Sequence, residues 1–351
     1  MRFIRMTYDE YNDVTSVGAS EQPTATPKPI RHSSLVTRHS PAPVTRHPPL
    51  IVVAGPTAVG KTAAAIELAR RFNGEIVSAD SRQIYRQMDI GTAKPTPEER
   101  AAAPHHLLDI RDPDDDFSLA EYVTLARAAI DAIIARGRLP ILAGGTPLYL
   151  NAVTEGWRVP AVPPDWALRD SLEAEAARDG IGPLEARLAA VDPVAATRTA
   201  GNLRRIIRAL EVHTLTGKPM SEQEGKEPPP YRIMQAILTL DRPALHARAD
   251  ARIARMIATG LVAEVEALLD RGYAPTLPAM TGIGYAEVIA HLRDGLSLPD
   301  AVAQIATSTH RYIRHQETWF RRNRIATRYD VATAAWEATL QTDVGTFLAM
   351  E

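Results

Sequence analysis

Short runs of consecutive apolar residues alternate along the chain with longer segments whose apolar residues recur at helical spacing. Residues 50–54 and 139–143 are two such runs, and both have the length and composition of strands buried on both faces of a parallel sheet. A third run ends just before Asp80, and the β-rich segment "YRIMQAILTL", which starts at Tyr231, is expected to rejoin the sheet. Strands that alternate with helices in this way predict an α/β fold with a parallel sheet.

The alternation of strands and helices stops after Gly156. Residues 157–230 contain three helical segments and then the linker "KPMSEQEGKEPPP". Asn202 is expected to cap the last of these helices, and Gly217 is expected to end it. The chain is therefore predicted to fold as a parallel-sheet core with an inserted all-helical domain. The expected parts are a core at 50–156 and 231–330, the insertion at 157–230, and a C-terminal helix or tail at 331–351.

The N-terminal part of the chain differs in composition from the rest. The stretch "EQPTATPKPIRHSSLVTRHSPAPVTRHPP" is rich in Pro, Thr, Ser and His and shows no apolar periodicity. A segment of this kind cannot bury enough apolar surface to offset the entropy lost on ordering. We therefore predict a disordered N-terminal extension at 1–49.

Composition excludes several classes of function. The chain of 351 residues contains no cysteine, which rules out disulfides, zinc–thiolate sites and thiol catalysis and suits a reducing cytoplasm. No apolar stretch approaches the roughly 20 residues of a membrane span, so we expect no membrane partner. A net charge of −2 provides no general attraction to nucleic acid. Any nucleic-acid partner would have to be bound by local basic patches.

A phosphate-binding motif follows the first apolar run directly. Gly55 opens a G-x-x-x-x-G-K-[ST] pattern that ends in Lys61 and Thr62 and precedes a helical segment. Its glycines let consecutive backbone N–H groups turn towards one anion, and the start of the helix adds partial positive charge. Lys61 can reach a terminal phosphate, and Thr62 is placed to hold Mg²⁺. The residues expected to bind the phosphate groups are Gly55, Pro56, Thr57, Ala58, Val59, Gly60, Lys61 and Thr62.

The motif alone leaves several activities open. A GTPase also needs a guanine-specific N/T-K-x-D motif, which does not occur in this chain. A small-molecule kinase often carries an acceptor-binding Asp where Asp80 stands, at the end of the next strand. The run at 139–143, however, is followed by Gly144, Gly145 and Thr146, where an ATPase would normally have a metal-binding acid. This pattern argues against ordinary ATP hydrolysis. A kinase and a non-catalytic RNA-binding module with a degenerate phosphate loop are the alternatives.

Eight stretches between Leu50 and about Arg328 resemble the tRNA dimethylallyltransferases, a family that transfers an isopentenyl group to adenine in tRNA. In chain order they are "GPTAVGKT", "SADSRQIYRQMDIGTAKPT", "PHHLLDIRDPDDDFS", "GGTPLYL", "VDPVAATR", "RRIIRALEV", "GIGYAE" and "RHQETWFRR". The resemblance implies that the phosphate loop binds the diphosphate of dimethylallyl diphosphate and does not cleave ATP. The N-terminal extension and the tail after Arg328 lie outside the family pattern, and without cysteine the chain cannot carry the zinc finger of some relatives.

The resemblance implies a chemical role for Asp80. Diphosphate leaves as the allylic carbon–oxygen bond weakens, and Lys61, the loop amides and Mg²⁺ on Thr62 would neutralise its charge. The exocyclic amine of adenine is barely basic, because its lone pair is delocalised into the ring, so it needs a base to accept its proton. Asp80 is expected to be that base. Thr146 is expected to hydrogen-bond at the reacting centre.

The resemblance also implies a tRNA-binding surface in three parts. Arginines interleaved with aromatic residues, as in the C-terminal part, suit RNA because they bind both backbone charge and unstacked bases. The expected tRNA contacts are Asp80, Ser81, Arg82, Gln83 and Thr146 near the reacting base; Arg169, Arg204, Arg205 and Arg208 in the insertion; and Gly282, Ile283, Gly284, Tyr285, Arg314, His315 and Arg321 in the C-terminal part. Arg248 and Arg252 share a helical face, and the pattern leaves open whether one of them binds the diphosphate or both make structural ion pairs.

Taken together, these features predict a cytoplasmic, monomeric enzyme with a P-loop-type parallel sheet. Its expected partners are the anticodon stem-loop of tRNA and dimethylallyl diphosphate, with Mg²⁺ as cofactor. The adenosine 3′ of the anticodon would be taken out of its stack and placed in the channel between the core and the insertion.

Overall fold

The structure of the protein, a computed structural model, describes residues 47–350. The predicted disordered extension therefore lies, up to residue 46, outside the described residues. The strands are β1 (Pro49–Ala54), β2 (Gly74–Ser78), β3 (His105–His106), β4 (Leu139–Gly144), β5 (Trp157–Arg158), β6 (Gly225–Lys226), β7 (Arg232–Thr239) and β8 (Thr327–Asp330).

Helices make up most of the rest of the described chain. They are α1 (Lys61–Arg71), α2 (Pro97–Ala102), α3 (Leu119–Ala135), α4 (Pro147–Thr154), α5 (Trp166–Asp179), α6 (Gly182–Val191), α7 (Pro193–Thr199), α8 (Leu203–Thr216), α9 (Met220–Gln223), α10 (Arg242–Ala258), α11 (Leu261–Asp270), α12 (Tyr285–Arg293), α13 (Leu298–Arg322) and α14 (Trp336–Ala349). Between residues 47 and 350, none of the helices has both the length and the apolar character needed to cross a lipid bilayer.

Six strands form one parallel sheet in the order β3-β2-β4-β1-β7-β8. β1 is central, since Ile51 pairs with Ile141 of β4 on one side and with Met234 of β7 on the other. The segment from Tyr231 does rejoin the sheet, next to β1. The predicted α/β fold with a P-loop-type parallel sheet is thus confirmed.

Helices cover both faces of this sheet, as its uniformly apolar strands require. On one face, α3 and α4 pack in the same hydrophobic cluster as Val52 and Leu142. On the other face, α1, α10 and α14 pack in a second cluster with Val53 and Ile141. Successive residues of a strand point to opposite faces, which is why neighbouring residues of β1 belong to different clusters.

Two further hydrophobic clusters lie outside the sheet. One joins the long loop after β2 to α11, α12 and α13. The other lies within the predicted insertion and is built by α5, α6, α7 and α8, while β5 and β6 pair antiparallel where this segment leaves and re-enters the core. Asn202 caps α8 by accepting a hydrogen bond from the Arg205 N–H, and Gly217 ends the helix with φ 68°, as predicted.

The carboxyl ends of β1, β2 and β4 meet at one edge of the sheet, because these strands are parallel and β4 lies between the other two. Gly144, the last residue of β4, makes the approach close. A Cβ atom at this position would lie 2.1 Å from the carbonyl oxygen of Ala79. Only glycine allows that approach, which brings the segment after β4 against the residue that precedes Asp80.

Candidate active site

Residues 55–60 connect β1 to α1 and form the glycine-containing loop that the sequence predicts to bind phosphate. Gly55 and Gly60 have φ angles of 151° and 108°, and a Cβ at Gly55 would lie 2.6 Å from a backbone oxygen of β7. The loop therefore depends on glycine at both positions. Helix α1 has no side-chain cap. The backbone N–H groups at its start, those of Lys61, Thr62 and Ala63, have no acceptor among residues 47–350 and can bind an anion.

Lys61 is the first residue of α1, and its ammonium group lies inside this loop. Its Nζ donates a hydrogen bond of 2.9 Å to the Pro56 carbonyl. Burial lowers the pKa of Lys61 to about 8; the carboxylate of Asp80 opposes this change, and the guanidinium of Arg252 adds to it. The charges of Lys61, Asp80 and Arg252 therefore act on one another within a single site.

Asp80 follows β2 by two residues, and its segment is fixed by two hydrogen bonds. Oδ1 of Asp80 accepts from the Arg82 N–H at 2.9 Å, and Oγ1 of Thr146 accepts from the Ser81 N–H at 3.0 Å. The hydrogen bond from the Arg82 N–H forms a local turn, which a loop carboxylate without a catalytic role would also form. Oδ2 of Asp80, however, makes no hydrogen bond with residues 47–350.

A buried glutamine that the sequence did not single out connects two parts of the site. Gln316 of α13 is 1% exposed. Its Oε1 accepts from the Thr57 N–H at 2.8 Å, and its Nε2 donates to the Gly145 carbonyl at 2.7 Å. Gln316 lies inside the matched stretch "RHQETWFRR". No local pattern marks it as special, because its partners are 259 and 171 residues away in the chain.

Helix α10 carries two arginines towards this edge of the sheet. Arg248 is exposed, and its guanidinium lies 3.5 Å from the Val59 carbonyl. Arg252 is half-buried and makes no hydrogen bond or ion pair with residues 47–350. Burial lowers the pKa of Arg252, and the carboxylate of Asp80 opposes that change. Because a guanidinium stays charged in proteins, Arg252 is a partly desolvated cation without a paired anion.

The residues after Asp80 are held by the protein itself. Arg82 donates to the Pro278 carbonyl at 2.5 Å, and Gln83 donates to the carbonyls of Thr92 and Ala93 at 3.3 and 3.2 Å. Both side chains are half-buried. Their contacts with tRNA stay predictions, and the structure adds that they also order the loop after β2.

The side chain of Tyr285, one of the predicted tRNA contacts, points into the protein, and its contact with tRNA stays a prediction. Tyr285 is 1% exposed, and its hydroxyl donates to Glu264 at 2.6 Å. Its ring packs against Gly91, where a Cβ would lie 2.5 Å from a ring carbon. Tyr285 thus packs α12 on the loop after β2, an inward orientation that the pattern "GIGYAE" does not reveal. Ile283 is exposed, and Gly282 lies beside the Arg82 guanidinium.

In the insertion, two of the arginines predicted to bind tRNA neutralise a buried carboxylate. Glu211 is 0% exposed and accepts hydrogen bonds from Arg169 at 2.8 Å and from Arg208 at 2.5 Å. Burial alone would raise the pKa of Glu211, but these hydrogen bonds lower it below its usual value. An unpaired buried carboxylate would destabilise the fold, so both arginines have a structural role. Arg204 and Arg205 are half-buried in the first turn of α8.

Helix α13 presents Gln316 inwards and arginines outwards. Arg314 and Arg321 are exposed and make no side-chain hydrogen bond or ion pair within the described chain, and His315 is half-buried. Phe320 belongs to the core, and Trp319 packs partly against it. The outer side of α13 therefore carries unpaired positive charge.

The chain matches the family model described as IPP transferase over residues 83–323. It is 53% identical over 294 residues to the tRNA dimethylallyltransferase of Thermomicrobium roseum, an alignment that covers 84% of this chain and 89% of that protein. Its structure is similar to that of the tRNA isopentenylpyrophosphate transferase from Bacillus halodurans, with a TM-score of 0.64, 38% identity and coverage of 86% and 96% of the two chains. It is also similar to a eukaryotic dimethylallyltransferase acting on tRNA, with a TM-score of 0.73, 25% identity and coverage of 86% and 80%.

The sheet order, the glycine loop after β1 and the uncapped start of α1 define a P-loop α/β protein. Within that class the family is also clear. The chain belongs to the IPP transferase family, because the family model matches more than half of its length and the Thermomicrobium roseum relative aligns with most of it.

Proposed function

We propose that the carboxyl ends of β1, β2 and β4 form the site at which this chain transfers a dimethylallyl group from dimethylallyl diphosphate to the adenosine 3′ of the anticodon in tRNA. The chain is an enzyme of this kind, since it belongs to the IPP transferase family and aligns closely with tRNA dimethylallyltransferases. One observation carries the site assignment: Lys61, Asp80 and Arg252 interact beside a helix start whose N–H groups are unused. The cations and backbone amides can stabilise the negative charge of the departing diphosphate, and the single carboxylate can accept a proton.

The phosphate loop receives the leaving group. As the allylic carbon–oxygen bond breaks, negative charge grows on the diphosphate, and preorganised N–H groups and cations stabilise it without reorganising. The Lys61 ammonium already lies inside the loop, where it donates a hydrogen bond to the Pro56 carbonyl. A charged diphosphate oxygen is a stronger acceptor and can replace this carbonyl. Arg252 supplies a second cation that no carboxylate among residues 47–350 neutralises by direct contact.

Asp80 acts on the acceptor side. As the adenine nitrogen bonds to the allylic carbon, one of its two protons moves to the free Oδ2 of Asp80, while Oδ1 stays in its turn with the Arg82 N–H. Thr146 is held on the same segment, because its Oγ1 accepts from the Ser81 N–H at 3.0 Å and donates to the Ser81 Oγ at 3.4 Å. The adenine would replace the longer of these two hydrogen bonds. General-base catalysis of this kind contributes about 10²- to 10⁴-fold in rate.

The residues present suit Mg²⁺ carried in with the diphosphate. Thr62 lies at the second position of α1, and its hydroxyl makes no hydrogen bond with residues 47–350. No group of three His, Cys, Asp or Glu side chains that could hold a metal ion occurs among these residues. A hydroxyl ligand with substrate oxygens and water is the coordination that Mg²⁺ accepts. When bound, the ion would help to neutralise the diphosphate.

The tRNA surface is proposed to run from the loop after β2 across the insertion at 157–230 to the outer side of α13. Its support is the exposed positive charge of Arg314 and Arg321 and the arginines at the start of α8. We further propose that the enzyme acts as a monomer in the cytoplasm. In the insertion, Arg169 and Arg208 would position the surface through Glu211.

Arg252→Gln is expected to raise the KM for dimethylallyl diphosphate by about 10- to 100-fold, because a hydrogen bond to a charged group contributes about 1.5–3 kcal/mol. The exposed Arg248 provides the matched control, and Arg248→Gln should change this KM by less than about threefold. Steady-state kinetics at saturating tRNA measure both values. Equal effects of the two substitutions would contradict the assignment of Arg252 to the diphosphate.

Arg314→Ala and Arg321→Ala are each expected to reduce the slope of log affinity for tRNA against log salt concentration by up to about one unit, as the loss of one phosphate contact does. Filter binding between low and moderate salt measures the slope. Arg293→Ala removes an exposed arginine from the last turn of α12 and serves as control. An unchanged slope in both α13 variants would exclude phosphate contacts at these positions.

The deciding experiment offers the purified protein an unmodified tRNA with an adenosine 3′ of the anticodon, Mg²⁺, and either dimethylallyl diphosphate or ATP. The tRNA should gain a five-carbon group only with the prenyl donor, because ATP has no allylic carbon. Isolated adenosine should react poorly, since binding energy from remote contacts positions the weak amine nucleophile. Phosphate transfer from ATP to a small acceptor without prenylation would support a kinase instead.

A further inference from the structure

We infer that Gln316 is a positioning residue for prenyl transfer: its side-chain amide sets the separation between the diphosphate loop and the acceptor side of the site. This inference rests on the proposed function. Gln316 need not touch either substrate, because it acts through Thr57 and Gly145.

The two hydrogen bonds of Gln316 use opposite ends of one amide. The oxygen accepts from the Thr57 N–H in the phosphate loop, and the nitrogen donates to the Gly145 carbonyl at the end of β4. Since one partner is a donor and the other an acceptor, only a side chain with both functions can satisfy both. At 1% exposure, no solvent replaces either bond if the amide is removed. The Gly145 carbonyl would then keep only the longer hydrogen bond from the Tyr312 hydroxyl, at 3.4 Å.

Gly145 allows the loop and the glutamine to come this close. A Cβ atom there would lie 2.8 Å from Nε2 of Gln316 and 3.4 Å from Nζ of Lys61. The glutamine amide and the lysine ammonium are therefore packed against the same backbone position. A displacement of Gln316 would also change the surroundings of Lys61.

The effect of Gln316 continues to the acceptor side through the backbone. Gly145 precedes Thr146, whose hydroxyl accepts from the Ser81 N–H, and Ser81 follows Asp80. The Gly145 carbonyl, which accepts from Gln316, therefore belongs to the residue next to Thr146. The Thr146 hydroxyl in turn contacts the segment that carries Asp80. The same helix carries Arg314 on its outer side, two residues before Gln316. Helix α13 therefore contacts the diphosphate loop directly and reaches the segment of the catalytic carboxylate through Gly145 and Thr146. The same helix carries part of the proposed tRNA surface.

The hydrogen bond between Thr57 and Gln316 also indicates which N–H groups of the loop can bind the diphosphate. The Thr57 N–H points to Gln316, so it is engaged before any ligand binds. Thr57, one of the residues predicted to bind the phosphate groups, would then contribute by holding the loop in place. The unused N–H groups at the start of α1 would bind the anion.

Gln316→Met, which keeps the size and removes both hydrogen bonds, tests the inference in the full-length chain. Single-turnover prenylation should slow by about 10- to 100-fold, since misplacing reacting groups by about 1 Å has effects of that order. The Kd for tRNA and the KM for dimethylallyl diphosphate should stay within about fivefold of wild type. The melting temperature should fall by only a few degrees, because two buried backbone groups lose their partner. Gln304→Met, at an exposed position of the same helix, should react at the wild-type rate.

Gln316→Glu adds a readout that a purely structural role would not change. An ionised carboxylate can still accept from the Thr57 N–H. Its other oxygen, however, would lie against the Gly145 carbonyl oxygen with no proton between them, and the two oxygens would repel each other. A protonated carboxyl can donate there and reproduce the amide. The ratio of variant to wild-type rate should therefore increase as the pH falls. A constant ratio at all pH values, or a Gln316→Met rate within about threefold of an active wild type, would overturn the inference.

Hydrogen exchange separates this result from failure of the proposed function. In the ligand-free protein, the Thr57 amide should exchange at least about tenfold faster in Gln316→Met than in wild type or Gln304→Met, because its acceptor is gone. If the wild type prenylates no tRNA, the proposed function fails, and exchange still tests the positioning contact. Unchanged exchange at Thr57 would overturn the inference whatever the activity.

Discussion

Asp80→Asn is expected to slow the chemical step of prenyl transfer by at least about 100-fold, the effect typical of losing a general base. An amide oxygen can still accept from the Arg82 N–H, so the turn after β2 is preserved, but the amide cannot take the proton of the adenine nitrogen. Single-turnover kinetics with saturating tRNA and dimethylallyl diphosphate measure the step. Affinity for both substrates should stay near the wild-type value.

Asp294→Asn is the matched control, because Asp294 is an exposed residue that ends α12 and lies outside the site. Its single-turnover rate should equal that of the wild type. If Asp80→Asn also reacts at a near-normal rate, Asp80 has no role as a base and only the structural turn remains. A loss of tRNA affinity equal to the loss of rate would instead indicate a binding role for this carboxylate.

Lys61→Met is expected to lower kcat/KM for dimethylallyl diphosphate by about 100- to 1,000-fold, since the ammonium stabilises charge that develops on the leaving group. Methionine keeps much of the length of lysine and packs in the same space. Affinity for tRNA should change little. Lys218→Met, at an exposed position of the insertion, should leave kcat/KM unchanged. An equal loss of tRNA binding in Lys61→Met would indicate misfolding or a loop that contacts RNA.

The affinity for dimethylallyl diphosphate should depend on pH in a way that identifies Lys61. Because burial lowers the pKa of Lys61 to about 8, the ammonium is present below pH 8 and is lost as the pH rises through that value. Binding of dimethylallyl diphosphate to the wild type should therefore weaken from pH 7 to pH 9, approaching a tenfold loss per pH unit above the pKa. Lys61→Met has no such proton, so the ratio of wild-type to variant affinity should fall across this range. A constant ratio would contradict the assignment.

The parts of the molecule that followed from the sequence are those with local causes. Uninterrupted apolar runs predicted β1 and β4, since only a strand covered on both faces tolerates them. Asn202 and Gly217 predicted the ends of α8, because a cap depends on residues within one turn. The phosphate loop followed from glycine spacing and its place between a strand and a helix. The family followed from eight such stretches in order.

The features that the sequence did not predict concern side chains whose partners lie far away in the chain. Arg169 and Arg208 looked like a basic RNA surface, yet both pair with Glu211, whose burial no helical pattern could show. Tyr285 follows two glycines in a motif that suggests a loop, yet its ring fills the space above Gly91. The periodicity of a helix tells which residues share a face but not what covers that face.

By itself, the sequence determined the glycine loop after β1, the buried strands β1 and β4 and the ends of α8, because these depend on backbone conformation and residue chemistry over short spans. Its eight matched stretches determined the family and, with it, the type of reaction. Only the tertiary structure decided that β4 lies between β1 and β2, and so that Thr146 meets the segment of Asp80. It also distinguished the half-buried Arg252 from the exposed Arg248 and placed Gln316 between the loop and Gly145. The physical reason is that hydrogen bonds and burial between distant segments are set by how the sheet and helices pack, and local patterns carry no information about those partners.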